Sequence, residues 1–225
     1  MAPAPEPAFP LGPAPSRPWA WWAVALLLGA PALWLGWVPL AQDPSTWPGL
    51  TAQLALYPPH GWDQAPWRWW TCAWLHGSPA HHLGNLVGLV VMAALGQQAR
   101  LPTSAALAWL LSWPLTHLAL AGQALPTVYI GASGVLHAGA AILGVYHLLD
   151  RHEGARRGIG TLLLGGLFIK VFMENPWQHP LITSADSAIT VAPWAHLSGS
   201  LAGGVLGLIF GWLRPSTRPT PPPSN

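Results

Sequence analysis

The stretch from Ala132 to Leu149, ASGVLHAGAAILGVYHLL, contains no charged residue and begins next to a serine among small residues. A helix needs about 20 mostly apolar residues to cross a bilayer. Five further stretches are similar in composition: Trp19 to Leu40, His81 to Ala99, Ser104 to Gly122, Gly158 to Met173 and Val191 to Leu213. The sequence therefore predicts an all-α membrane protein with six transmembrane helices, of which the fifth, Gly158 to Met173, is the shortest.

The composition excludes an ordinary soluble domain. Of the 225 residues, 7% are charged and 52% are hydrophobic, whereas about 25% of the residues in soluble domains are charged. The net charge of +2 gives no reason to expect binding to nucleic acid, which requires many phosphate contacts. Cys72 is the single cysteine, so the chain cannot form an intrachain disulfide.

The positions of the basic residues predict the orientation. Cytoplasmic loops of membrane proteins are enriched in Lys and Arg. If the six helices alternate in direction, seven of the nine basic residues fall on one side: Arg17, Arg100, Arg151, Arg156, Arg157, Arg214 and Arg218. We therefore expect one membrane domain at 19–213, an outer loop at 41–80 and both termini in the cytoplasm. The Pro-rich ends, 1–18 and 214–225, are expected to be disordered tails.

Four polar residues stand out inside the predicted spans: His81, Asn85, Ser133 and His196. Polar groups inside a membrane are costly, so they are candidate functional residues. All four lie within about two turns of the outer starts of spans two, four and six, a depth of no more than roughly 10 Å. The topology thus predicts that three helices bring them to one level of the membrane.

Ser133 lies in the run Gly131-Ala132-Ser133-Gly134, where an outer loop enters span four. Glycine lets backbones approach closely, and a helix start presents N–H groups that suit a developing anion. This context is typical of a nucleophilic serine. The alternative is a serine that bonds back to its own helix.

His196 is the candidate base for that serine, since neutral imidazole is the usual activator of a hydroxyl nucleophile. Gly199 and Gly203 form a small-residue face on span six, and Gly134 begins a similar face on span four. If these faces meet, Ser133 and His196 come together. The alternative is a structural histidine that caps a helix or bonds a carbonyl.

His81 and Asn85 are four residues apart and project from one face of span two. Their N–H groups are suitable donors for the oxyanion of a tetrahedral intermediate; the alternative is a polar helix start near the headgroups. His82 lies on another face and receives no role. The His81-His82 pair also raises the possibility of a metal, but no placed carboxylate or second cysteine accompanies it, so we expect neither metal nor cofactor.

These motifs together resemble the rhomboid family of intramembrane serine proteases over about Trp67 to Leu213. The resemblance implies that Ser133 is the nucleophile, that His196 is the general base and that His81 and Asn85 form the oxyanion hole. It also implies a Trp-rich outer loop partly in the outer leaflet, a transmembrane protein substrate met in the lipid bilayer, and residence in a bacterial cytoplasmic membrane. The supporting motif residues are Gly131, Gly134, His137, Gly199, Gly203, Trp67, Arg68 and His76. Arg68 would brace the loop or, alternatively, meet lipid phosphate.

Two positions depart from the family pattern. Position 137 is His, where many rhomboids carry a Tyr that packs on the catalytic imidazole, and Gln97 stands where many relatives have an acid. The run Gly131 to His137 is most similar to the rhombosortase branch. That resemblance implies substrates with a C-terminal Gly-rich motif, one apolar helix and a basic cluster. His137 has either a special role or a packing role.

No aspartate is suitably placed to orient His196, because Asp150 lies at the cytoplasmic end and Asp186 in a loop. The sequence therefore predicts a Ser-His dyad. Three alternatives remain: a rhomboid protease of broader specificity, a non-catalytic chaperone or scaffold of the same fold, and a small transporter with histidine proton carriers. The chaperone is disfavoured because both Ser133 and His196 are present. The transporter is disfavoured because no inverted repeat is visible.

Overall fold

The computed structural model describes residues 18–38, 46–150, 154–183 and 190–213, and these ranges are mostly helical. In chain order the helices are α1 (Trp19–Leu35), α2 (Gly49–Leu54), α3 (Arg68–Thr71), α4 (Pro79–Gln98), α5 (Thr103–Leu118), α6 (Ser133–Leu148), α7 (Gly154–Glu174) and α8 (Pro193–Trp212). Two 3₁₀ turns, Pro58–His60 and Cys72–Trp74, lie between α1 and α4. Strand β1 (Ile182–Thr183) pairs antiparallel with β2 (Thr190–Val191). Apart from Pro18, the predicted tails at 1–18 and 214–225 lie outside the described ranges.

Each predicted span overlaps one of the long helices α1 and α4 to α8. The fifth, predicted as the shortest, corresponds to the longest of them, because α7 has 21 residues. The predicted span, 158–173, leaves out the charged residues at the two ends of α7. Within the described ranges, α4 and α8 are long and apolar enough to cross a membrane, and α1 and α6 are shorter apolar helices.

Helix α4 begins with a complete cap. The Ser78 hydroxyl accepts a hydrogen bond from the His81 N–H at 3.1 Å, and Pro79 occupies the first helical position, where its missing N–H costs nothing. Helix α8 likewise begins with Pro193. These starts fix where His81 and His196 stand in the first turns of their helices.

Helices α6 and α8 make the most extensive helix contact in the described structure. A Cβ atom at Gly199 would overlap the Gly134 carbonyl, and one at Gly203 would overlap the Ala138 carbonyl. The two backbones therefore touch with no side chain between them, in the small-residue packing that membrane helices use.

Buried indoles join the remaining helices to this pair. Trp109 of α5 donates its Nε1–H to the Val135 carbonyl at 2.8 Å. Trp21 of α1 donates to the Met92 carbonyl of α4 at 2.8 Å and stacks on Trp109 with ring centroids 4.2 Å apart. Each indole thus buries a large apolar surface while its N–H is satisfied, and α1, α4, α5 and α6 share one core.

The segment between α1 and α4 is hydrogen-bonded to the segment that leads into α6. Leu56 and Tyr129 exchange backbone hydrogen bonds of 3.2 and 2.8 Å. The Gly131 N–H donates to the Cys72 carbonyl at 2.9 Å, and Gly131 has φ of 131°, a conformation that favours glycine. These contacts hold the backbone that delivers Ser133 to the first turn of α6.

Candidate active site

Ser133 and His196 are in hydrogen-bond contact. Ser133 is the first residue of α6 and His196 lies in the first turn of α8. The Ser133 Oγ is 2.8 Å from the His196 Nε2. His196 is 2% exposed, whereas Ser133 is half-buried. The pair has the geometry required for proton transfer from a hydroxyl to an imidazole.

The glycine faces account for this contact. A Cβ atom at Gly134 would lie 2.7 Å from the Ala195 carbonyl oxygen and 2.8 Å from the Thr116 Cγ2. Both distances are too short for a side chain, so the residue next to the serine must be glycine for α8 to come this close. Gly134, Gly199 and Gly203 thus set the separation of α6 and α8 at the level of the Ser133–His196 pair.

His137 lies one turn after Ser133 and stacks on His196. The ring centroids are 4.0 Å apart and the planes are 9° from parallel. The His137 Nδ1–H donates to the Ser133 carbonyl at 2.7 Å. The ring therefore packs on the His196 imidazole, while its Nδ1 is fixed to the backbone.

The expected absence of an orienting acid is wrong. Glu174, the last residue of α7, accepts a hydrogen bond from the His196 Nδ1–H at 2.7 Å through its Oε2. Its other oxygen, Oε1, is bound by the Lys170 ammonium one turn earlier. The prediction had considered only aspartates, and it ended span five at Met173, one residue too early.

A signal for Glu174 was present in the sequence. Apart from Arg156 and Arg157 at the opposite end of α7, the only Asp, Glu, Lys or Arg residues within the long helices α1 and α4 to α8 are Lys170 and Glu174. Charged residues inside a membrane helix are candidate functional groups by default. The predicted topology also brings the end of span five to the level of Ser133.

His81 and Asn85 lie on the face of α4 that is buried in the protein. The His81 ring packs against Gly131, where a Cβ atom would come within 2.8 Å of its Cε1. Among the described residues, neither ring nitrogen of His81 nor the Asn85 Nδ2 has a hydrogen-bond partner. Buried donors are nearly always paired, so these groups are free to bind an oxygen brought by a substrate.

Ser133 opens onto a cavity of about 250 Å³. His81 and Ser133 lie in its wall, together with Trp47, Leu181 and the segments 126–130 and 190–192. The cavity therefore joins the serine to one candidate oxyanion donor and to a mostly apolar surface.

His76, another expected motif residue, lies beside His81. His76 is 1% exposed, and its ring packs edge-on to the rings of His81 and His82 with centroids 5.2 and 4.9 Å away. His82 thus contacts the histidine cluster, although it was expected to have no role. In the ranges that the structure covers, no group of three or more His, Cys, Asp or Glu residues could hold a metal ion.

Trp67 and Arg68 lie in the segment between α1 and α4. The Arg68 guanidinium sits 4.8 Å from the centroid of the Tyr57 ring, a cation–π contact within the loop. Trp67 is exposed and donates its Nε1–H to the Gln53 carbonyl at 3.3 Å. Arg68 therefore packs within the loop, and Trp67 presents an indole to its surface.

Gln97, the second position that departs from the family pattern, lies near the end of α4 opposite to His81. Its side-chain oxygen accepts a hydrogen bond from the Trp22 indole.

Comparison with known proteins assigns the family. A family model described as the rhomboid domain matches residues 63–213, a segment that contains every residue of the site described above. No curated protein matches the chain. The family match and the apolar helices together indicate an integral membrane protein. The chain belongs to the rhomboid family, whose members are intramembrane serine proteases.

Proposed function

We propose that this protein is an intramembrane serine endopeptidase in which Ser133 is the nucleophile and His196 the general base. One observation carries the proposal: the 2.8 Å contact between Ser133 Oγ and His196 Nε2 at the wall of a cavity in a protein of this family. A hydroxyl becomes a useful nucleophile only when a base accepts its proton, and His196 is within reach to do so.

In the proposed mechanism the Ser133 Oγ attacks the scissile carbonyl while His196 Nε2 accepts the hydroxyl proton. The carbonyl oxygen becomes an oxyanion, which is bound by His81, Asn85 and the Ser133 N–H at the start of α6. The C–N bond then breaks, and the proton on His196 goes to the leaving amine. Water, with His196 again as base, cleaves the acyl-enzyme and restores Ser133.

A fluorophosphonate probe tests the nucleophile directly, because it forms a bond with an activated serine. The wild-type protein is expected to be labelled, and Ser133→Ala to remain unlabelled while folded. Ser104→Ala is a matched control, since Ser104 bonds Tyr146 in a different part of the fold. Labelling of Ser133→Ala at the wild-type rate would remove Ser133 from the mechanism.

The proposed substrate is the C-terminal tail of an exported protein, made of a Gly-rich motif, one apolar helix and a basic cluster. Support comes from His137 in the Gly131 to His137 run and from the resemblance of that run to the rhombosortase branch. Glycine also lets a substrate helix unwind at low cost and pass close to the backbone at Ser133. The substrate would thus be recognised where its helix begins to open.

Reporter cleavage separates this specificity from that of a general rhomboid. A reporter with the Gly-rich motif is expected to be cut, and replacement of the two glycines beside the cut by valine is expected to suppress cleavage. Changes to apolar residues deeper in the helix are expected to matter much less. Equal cleavage of a generic rhomboid substrate without the Gly motif would refute the narrow substrate class and leave the protease proposal intact.

The proposed topology has six membrane spans, with both termini on the cytoplasmic side of a bacterial inner membrane. It rests on the distribution of arginines. Reporter fusions after Arg100, Arg157 and Arg214 should read cytoplasmic, and a fusion near Asp63 should read extracytoplasmic. The opposite pattern would put Ser133 and His196 on the cytoplasmic side and would contradict the proposed exported substrate.

A further inference from the structure

We infer that Glu174 is a positioning residue for His196 and completes a Ser133–His196–Glu174 triad, with Lys170 holding the carboxylate in place. This inference rests on the proposed serine protease function and adds to it a third group. It replaces the dyad that the sequence predicted.

The carboxylate is bound at both oxygens. The His196 Nδ1–H donates to Oε2 at 2.7 Å, and the Lys170 ammonium binds Oε1. The side chain of Glu174 is 17% exposed and that of Lys170 is 50% exposed, so the lysine reaches the surface while the glutamate faces inward. Hydrogen bonds between charged partners are the strong ones, and this pair fixes the carboxylate against the imidazole.

The carboxylate determines which nitrogen of His196 carries the proton. An ionised carboxylate can only accept hydrogen bonds, so the Nδ1 of the neutral ring must be the N–H nitrogen. The lone pair of Nε2 then faces the Ser133 hydroxyl, as a general base requires. Lys170 Nζ lies 3.5 Å from the same Nδ1. It affects His196 through Glu174, because Nδ1 already donates its proton to the carboxylate.

The first step transfers one proton and forms one carbon–oxygen bond. The Ser133 O–H bond breaks, an N–H bond forms at Nε2 and the Oγ bonds to the substrate carbon. His196 becomes an imidazolium between the substrate and Glu174, which stays ionised and stabilises the new positive charge. Of the neighbouring groups, His137 stacks on the ring but uses its own Nδ1–H on the Ser133 carbonyl, and His81 faces the cavity. Glu174 is thus the neighbour that can accept from His196 Nδ1.

Packing alone does not force Glu174 into this position. Within α7 the buried residues are Gly160 and Val171. Two close contacts of α7 with α6 lie in its first half, where Gly160 meets the backbone at Leu148 and Leu164 fits against Gly144. Most residues in the second half of α7 are exposed or half-buried, and α7 as a whole has little contact with α8. Glu174 reaches the site through its carboxylate. The contact is therefore a specific polar interaction at the end of a lightly packed helix segment.

The test is the rate of fluorophosphonate labelling of the full-length protein, separated into the maximal rate kinact and the half-saturating concentration KI. Glu174→Gln is expected to lower kinact by about 10²- to 10⁴-fold, as loss of the orienting acid does in serine proteases, and to leave KI within a few-fold. Glu174→Asp, which keeps the charge, should recover part of the rate. Lys170→Met should lose less than Glu174→Gln, because the carboxylate remains.

Gln178→Ala is the matched control. Gln178 accepts a hydrogen bond from Asn175 just beyond α7 and does not touch His196, so its labelling rate should equal that of the wild type. If the wild type is labelled and Glu174→Gln reacts at the same rate, the positioning role is wrong and the protease proposal stands. If Glu174→Asp is as slow as Glu174→Gln, the charge has no role and the inference fails. If the wild type is not labelled at all, the proposed function itself fails.

Discussion

The imidazole of His137 lies almost parallel to that of His196, with ring centroids 4.0 Å apart and an angle of 9° between the planes. His137 cannot turn freely, because its Nδ1–H is bound to the Ser133 carbonyl at 2.7 Å. One face of the candidate base is therefore covered by a ring that is itself fixed to the nucleophile's backbone. The stack limits the rotation of His196, while Glu174 binds its edge.

Two substitutions of His137 distinguish the contribution of its aromatic ring from that of its hydrogen bond. His137→Phe keeps an aromatic ring over His196, and we expect its labelling rate to stay within about 3-fold of the wild type. His137→Ala removes the ring and should lose roughly 10-fold, since an aromatic pair contributes about 0.5–1.5 kcal/mol. The rate of fluorophosphonate labelling measures both. Equal rates for the two variants would show that the stack has no role.

Removal of either proposed oxyanion donor is expected to lower the turnover number. We expect His81→Ala and Asn85→Ala each to lower kcat by about 10²- to 10³-fold with little change in KM, because such donors act mainly on the transition state. His82→Ala is the comparison, since His82 lies on another face of α4. Cleavage kinetics of a reporter provide the measurement. A rise in KM at unchanged kcat would instead identify a substrate-contact residue.

The α6–α8 contact predicts that alanine is tolerated very differently at two glycines of α8. A Cβ atom at Gly199 would overlap the Gly134 carbonyl, whereas at Gly204 it would meet nothing within 4 Å. Gly199→Ala should therefore lower the Tm by roughly 5 °C or more, in line with overpacking costs of about 1–3 kcal/mol, and should abolish labelling of Ser133. Gly204→Ala should leave both unchanged. Thermal unfolding in detergent measures the Tm, and equal Tm values would contradict the backbone contact.

Much of this arrangement follows from the sequence, and particular parts do not. Apolar runs locate the long helices, and the levels of Ser133, His196, His81 and Asn85 follow from the helix starts. The sequence prediction misses Glu174 because it ends span five at Met173, one residue before the carboxylate, and considers only aspartates as partners of His196. The backbone hydrogen bonds between Leu56 and Tyr129 join two irregular segments that are far apart in the sequence. Neither segment has a hydrophobic pattern that would predict this pairing.

The buried His76 predicts an acid-sensitive fold. Burial, and then the neighbouring His81 and His82, lowers the pKa of His76 to about 3, whereas an unfolded histidine has a pKa of about 6.5. Below pH 6.5 the unfolded chain binds a proton that the folded chain excludes. The free energy of unfolding should therefore fall as the pH drops, by about 2 kcal/mol at pH 5 from this group alone.

His76→Phe removes this proton and keeps a buried ring. The Tm of the wild type should decrease from pH 8 to pH 5 more steeply than the Tm of His76→Phe, and thermal unfolding at a series of pH values measures the difference. Parallel pH dependence in the two proteins would mean that His76 is not the group responsible.

The light packing of the second half of α7 links this site to the thickness of the surrounding bilayer. Helix α7 has 21 residues and is therefore about 31 Å long, close to the roughly 30 Å hydrocarbon core of a membrane. A helix that does not match its bilayer tilts. On the proposed six-span topology, α7 would tilt about its packed first half, where Gly160 meets the backbone at Leu148. On that topology, a change in membrane thickness would alter the distance between Glu174 and His196, whereas the contact of α6 with α8 holds Ser133 beside His196. The lipid composition would then adjust the rate of the chemistry without unfolding the protein.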